Sequence, residues 1–208
     1  MRRLHLLVLT ITISMALASC SRQEPDLKIP LTYHDHLYVE ITLANGIKGK
    51  FILDTGTSGL YLDSTFVANA NFYPTQVEEA NIGKTGKEKT ILIITEPIDF
   101  TLGNTTFHSP QTPILDLLDF DGKGIAGIMG INFLKRYIVN INFEENYLVL
   151  HHPDYRPKLV QLNHINYKLI NDRIITEAIV TVDSENVIEG EFEIDFDCTD
   201  DIRLTYQT

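Results

Sequence analysis

A chain of 208 residues with 44% apolar composition can bury one or two ordinary cores, which excludes wholesale disorder. The formal charge is -11; without Arg2 and Arg3, 15 of the 17 basic residues stand against 28 acidic ones, or -13. No nucleic-acid partner is expected, because phosphate binding needs a basic surface and the Lys and Arg residues form no long run.

The first nineteen residues read as a targeting segment. Arg2 and Arg3 form a positive start, and Leu4 to Leu17 is apolar except for small hydroxyls and His5, too short for a comfortable membrane span. It ends in Leu17-Ala18-Ser19-Cys20, which resembles the lipobox of bacterial lipoproteins. That resemblance implies acylation of Cys20 and a lipid anchor to the membrane, on the periplasmic or outer-membrane face of the cell envelope. An ordinary cleaved secretory signal or an uncleaved anchor are the alternatives. Residues 20–27 would be a tether. With Cys20 acylated, Cys198 is the remaining thiol and no intrachain disulfide can form. Acids surround Cys198 and would raise its pKa, so it is read as structural or incidental.

Beyond the tether the pattern is mostly β. Leu37 to Leu43 alternates with period two, Asn45-Gly46 signals a hairpin turn, and Lys48 to Leu53 returns as the partner strand. Further strands are expected at Thr90 to Ile94, Ile98 to Leu102, Tyr137 to Phe143 and Tyr147 to Leu150. Tight turns are expected at Leu102-Gly103-Asn104 and Glu145-Asn146. Short helices are expected at Ser64 to Ala70 and Asn132 to Arg136.

The chemistry concentrates at Phe51-Ile52-Leu53-Asp54-Thr55-Gly56-Thr57-Ser58-Gly59. An Asp at the end of an apolar strand loses its hydration unless hydrogen bonds replace it, and Thr55, Thr57 and Ser58 are placed to supply them. Gly56 lets a second backbone come close. An Asp that merely caps a buried turn would look similar, but would not require Gly127-Ile128-Met129-Gly130 downstream.

These residues resemble the aspartic peptidases of the pepsin and retropepsin type, particularly bacterial lipoprotein-like members. Asp54-Thr55-Gly56-Thr57-Ser58 matches the family's catalytic turn. Asn81-Ile82-Gly83-Lys84-Thr85-Gly86 falls where its mobile flap is expected, and Ile128-Met129-Gly130 matches the element that threads beneath the turn. The resemblance covers residues 37 to 150 and implies a β-barrel lobe in which Asp54 is catalytic and Thr55 and Gly56 shape its turn. It also implies hydrolysis of peptides or proteins by two carboxylates that share a proton and activate a water, without a cofactor.

A second carboxylate is needed. Asp195, 141 residues after Asp54, is the candidate within the chain, and the same offset places Asn45 on Asn186, Ile47 on Ile188, Gly49 on Gly190, Phe51 on Phe192, and Val39 and Ile41 on Val180 and Val182. The chain therefore divides into a lobe at 28–153 and a partial second lobe at 154–208. Asp195 is followed by Phe196-Asp197 where Thr-Gly is wanted, so a homodimer supplying two copies of Asp54 is the favoured source of the pair, ahead of Asp195. A truncated product is another reading. A catalytically silent envelope lipoprotein that binds extended peptides or partner proteins is the alternative from a different class.

Other clusters read as inert. His34-Asp35-His36 and His151-His152 are taken as surface histidines, because neither has enough ligands for a metal site. Asp119-Phe120-Asp121-Gly122 and Asp195 to Asp201 are taken as solvated loops, because neither has the spacing of a calcium-binding hand. No metal is expected.

Overall fold

The computed structural model describes residues 26–82, 89–118, 124–155, 163–181, 183 and 186–198. Among these, twelve strands form one sheet and three form another. The large sheet contains β1 (Leu27–Tyr33), β2 (Leu37–Leu43), β3 (Lys48–Leu53), β4 (Leu60–Asp63), β5 (Val77–Ile82) and β6 (Lys89–Ile94). It continues with β7 (Ile98–Leu102), β8 (Thr105–Ser109), β9 (Thr112–Leu115), β10 (Gly127–Met129), β11 (Ile138–Asn142) and β12 (Tyr147–His151). Its main path runs β11-β12-β1-β2-β3-β10-β4-β9-β6-β5, and β7 joins β2 and β8 at the side. The small sheet is β13 (Lys168–Ile170), β14 (Arg173–Thr181) and β15 (Val187–Glu193) in chain order.

The fold is mostly β, with strands at the expected places and turns where the punctuation put them. Gly46, Gly103 and Asn146 have φ of 83°, 62° and 55°, the left-handed region that glycine and asparagine tolerate best. Among the described residues, the helical elements are α1 (Ser64–Asn69) and one 3₁₀ turn (Ile131–Phe133), with a single helical position at Leu118. α1 starts where Asp63 caps it: Oδ1 accepts from the Phe66 N–H at 2.8 Å, while Oδ2 accepts from the Leu117 N–H at 3.0 Å. The second expected helix is shorter than Asn132 to Arg136 and begins one residue earlier, with the extended Gly130 before it.

β3 shows why the strand before Asp54 is a continuous apolar run rather than an alternating one. Phe51 and Leu53 belong to the main core with Leu60, Leu62, Phe100, Phe107 and Met129, while Ile52 faces a second cluster of Tyr38, Leu117, Ile125 and Ile128. A strand covered on both faces needs apolar side chains at every position.

Residues 163–198 have little cover of their own. All of β13 is exposed, and most of β14 and β15 is exposed or half-exposed. The repeat with the first hairpin holds only on one strand. Gly49 pairs with Ile41, but Gly190 pairs with Ala178, so β14 is displaced by four residues from the uniform offset that placed Val180 on Val39. Each arm of the second hairpin is two residues longer: Lys48 lies six before Asp54, and Val187 eight before Asp195.

Candidate active site

Asp54 leaves β3 at the point where β10 ends beside it. β10 runs parallel to β3, with Met129 opposite Leu53, and antiparallel to β4, with Met129 opposite Leu60. The Asp54 N–H donates to the Met129 carbonyl at 3.1 Å. Beyond β10, the Gly130, Ile131 and Asn132 N–H groups donate to the carbonyls of Gly59, Thr57 and Ser58 at 2.8, 2.9 and 3.0 Å, so the second wall of the turn is stitched to the first. This crossing requires small residues. A Cβ on Gly127 would lie 2.0 Å from the Tyr61 carbonyl oxygen, and one on Gly130 2.6 Å from the Thr57 carbonyl oxygen.

The turn then closes on itself. The Gly56 N–H donates to Asp54 Oδ1 at 2.6 Å. Asp54 and Thr55 are only 4% and 2% exposed, which makes the identity of their partners decisive. Those of Thr55 come from the far end of the chain: its Oγ1 donates to the Ile194 carbonyl at 3.0 Å and accepts from the Phe196 N–H at 3.0 Å. One hydroxyl thus grips both sides of Asp195.

The turn at Asp195 repeats the geometry at Asp54. The Asp197 N–H donates to Asp195 Oδ1 at 3.0 Å, as the Gly56 N–H does to Asp54. Asp195 lies against Gly56 so closely that a Cβ there would come within 2.7 Å of Asp195 Oδ2. The Asp54 and Asp195 side chains are within hydrogen-bonding reach, and the Asp54 carboxyl is pushed up to about 7. Burial is the largest cause, followed by the charge of Asp195; Asp197 adds a smaller push, and the Gly56 N–H opposes them. Two carboxyls so placed retain one proton between them.

The expectation that a second subunit would supply the partner carboxylate therefore meets a different arrangement. The place beside Asp54 is occupied by Asp195 of the same chain. Phe196 lacks the hydroxyl that a second Thr would use for the reciprocal bond, but the grip from Thr55 needs only its backbone N–H. The Phe196 side chain packs against the main core instead.

Three further residues belong to the site. Tyr61 is half-buried beside the turn, and burial together with the charge of Asp54 raises its phenol above the ordinary value. His36 is not a surface histidine: it is 6% exposed, and its Nδ1 lies 2.5 Å from Oδ1 of Asp197, which is 8% exposed. Asp195 and Asp197 are correspondingly not part of a solvated loop. His151 is also buried, and pairs with Asp26 at 2.9 Å, whereas His34 stays exposed. The stretch Asp119 to Gly122, the flap tip from Gly83 to Gly86 and Cys20 lie outside the described residues. The flanks of that tip form the antiparallel pair β5 and β6, with Asn81 opposite Thr90.

A cleft of about 770 Å³ borders the site. Gly56, Thr57, Ser58 and Tyr61 form one wall, and the hairpin from Ile170 to Arg173 with Glu191 and Glu193 forms the other.

Residues 39–133 match the aspartyl protease family. No curated protein matches the chain. Among solved structures, the chain is similar to a retropepsin-like aspartic protease from Rickettsia conorii, at 20% identity, over 62% of this chain and 91% of that one, with a TM-score of 0.44. It is also similar to the EIAV protease complexed with the inhibitor HBY-793, at 16% identity, over 50% of this chain and 91% of that one, with a TM-score of 0.37. The matched segment holds Asp54, the β5 and β6 hairpin and Gly130, and ends before Asp195. Through this segment the chain is similar to the aspartyl protease family.

Proposed function

We propose that this chain is an aspartic-type endopeptidase whose carboxylate pair, Asp54 and Asp195, comes from a single chain. The observation that carries the reading is the double hydrogen bond of Thr55 to Ile194 and Phe196, which holds the two acidic turns face to face. Of the two carboxyls, the one that is ionised takes a proton from a water, and the one that is protonated donates to the carbonyl oxygen of the scissile peptide. The water oxygen attacks the carbonyl carbon, and the resulting tetrahedral species collapses with proton transfer to the departing amine. An extended peptide is the substrate class, with the cleft between Tyr61 and the Ile170 to Arg173 hairpin as its path.

The test is hydrolysis of a quenched peptide library at acidic and near-neutral pH. Turnover is expected to vanish in Asp54→Asn and in Asp195→Asn, and to be blocked by a peptide mimic with a central hydroxyl. Turnover that survives Asp195→Asn but not Asp54→Asn would return the partner carboxylate to a second copy of the chain. A folded protein that binds the mimic without cleaving any library member would instead be the silent peptide-binding lipoprotein.

The setting we propose is the cell envelope, with the protein held at a membrane by acyl chains on Cys20. Among the described residues, no helix is long and apolar enough to cross a membrane. Mass spectrometry of the protein from cells tests the anchor, because diacylation adds a mass that Cys20→Ser abolishes.

A further inference from the structure

The second acidic turn carries an anomaly: Asp197 stands where the first turn has Gly56. In both turns this residue's N–H supports the preceding Asp, so the backbone geometry is kept while a third carboxyl is brought into the site. Three carboxyls in a buried space repel one another, and an uncompensated charge there is costly. His36 meets that charge. It ends the bend His34-Asp35-His36 between β1 and β2, and its Nδ1 reaches Asp197 Oδ1 at 2.5 Å. The histidine and aspartate side chains are 8% and 6% exposed, so the contact is sheltered from solvent screening.

Resting on the peptidase reading, we propose that His36 is a positioning residue for the carboxyl pair: bound to Asp197, it clamps the Ile194 to Cys198 turn against Asp54 and keeps the third carboxylate from competing for the shared proton. The ring stands edge-on to Tyr38 at 6.0 Å between centroids, and Tyr38 is paired across the sheet with Ile52, two residues before Asp54. The clamp is thus mounted on the same strand pair that carries the first acid. Among the described residues, the charged or titratable groups on the elements it touches are Asp195, with Asp54 beyond it, on the side of Asp197, Lys50 over the Tyr38 ring at 4.3 Å, and the exposed His34 and Asp35 on its own bend. The influence of Asp197 on Asp54 runs in the sense the proposal requires, since its charge helps hold the Asp54 proton.

The experiment is a carbon-13 titration of the aspartate carboxyls in the full chain, followed by NMR, with Asp54 assigned from Asp54→Asn. His36→Gln is expected to move the midpoint of the pair upward by about one pH unit, and Asp197→Asn to move it downward by a similar amount. In His36→Gln with Asp197→Gly, which restores the residue found in the first turn, the midpoint should return toward that of the native chain. Peptide hydrolysis is read in parallel: His36→Gln should lower kcat more than tenfold with KM within about threefold, and the double variant should recover most of the loss. A midpoint unmoved by both single substitutions, or a deficit that the double variant does not relieve, overturns the proposal. Asp197→Asn keeps a partner for the imidazole, so it remains decisive if His36→Gln does not fold. If no peptide is cleaved by the native chain, the peptidase reading fails and the titration alone decides the clamp.

Discussion

Asp54 is a carboxyl that the fold keeps partly protonated, and this has a thermodynamic consequence with a definite sign. Its folded value of about 7 lies above the ordinary 3.8, so between those values the folded state binds more protons than the unfolded one. The associated stability is present in full below about pH 4 and is lost as pH rises toward 7. Because the titration belongs to the pair, the slope should be read as that of Asp54 and Asp195 together. Asp54→Asn removes the ionisable group, so its stability relative to the native chain should grow between pH 4 and pH 7.5 by on the order of a few kcal/mol. Parallel urea melts at the two pH values measure it; equal differences at both would show that Asp54 titrates normally. In the same way, hydrolysis should fall about tenfold per unit above pH 7, once the shared proton is lost. At Gly56 the constraint is steric. Gly56→Ala places a methyl 2.7 Å from Asp195 Oδ2, and is expected to cut kcat at least a hundredfold by displacing that carboxyl, while the circular dichroism of the fold is kept.

At the scale of elements, the site is a crossing of strands rather than a loop on a scaffold. β10 enters between β3 and β4, and the carbonyls of Thr57, Ser58 and Gly59 are taken up by the three N–H groups that follow it. Gly127→Ala should therefore cost more than about 3 kcal/mol, because its methyl would meet the Tyr61 backbone, which cannot move without breaking β4. Thermal denaturation measures this, and a near-native melting temperature would mean that the crossing is looser than it is here. Thr55 makes the other junction. Thr55→Val keeps the shape and removes the hydroxyl, leaving the Ile194 carbonyl and the Phe196 N–H without it. A loss of about 1–3 kcal/mol is expected, together with faster hydrogen exchange at the Phe196 amide. Thr55→Ser should recover most of it. Exchange at Phe196 unchanged by Thr55→Val would break the link between the two turns.

At the scale of the whole molecule, residues 163–198 are attached to the large sheet by polar contacts near the site: Thr55 to the Asp195 turn, His36 to Asp197, and Lys135 to Asp172 at 2.7 Å. An intrachain pair predicts specific activity that does not change with protein concentration across the range in which sedimentation reports any self-association. A pair shared between two copies would give activity per chain that rises with concentration. The amino-acid sequence by itself determined that the protein is mostly β, because period-two alternation and turn residues are local signals, as at Leu37 to Leu43 and Asn45-Gly46. It also determined that Asp54, Thr55 and Gly56 form one turn above Ile128-Met129-Gly130, since the motif is contiguous and its glycines leave room for close neighbours, a backbone at Gly130 and the Asp195 carboxyl at Gly56. It did not determine the company of Asp54. The Phe196-Asp197 step reads as a broken motif, yet the partners of Thr55 are a carbonyl and an N–H, which every residue but proline supplies whatever its side chain. The unwanted charge at Asp197 was visible as a mismatch with Gly56, but its answer in His36 was not, because nothing local distinguishes a buried histidine from a surface one. Only the tertiary structure, by folding a distant strand pair against the first turn, decided which acid faces Asp54 and which base faces Asp197.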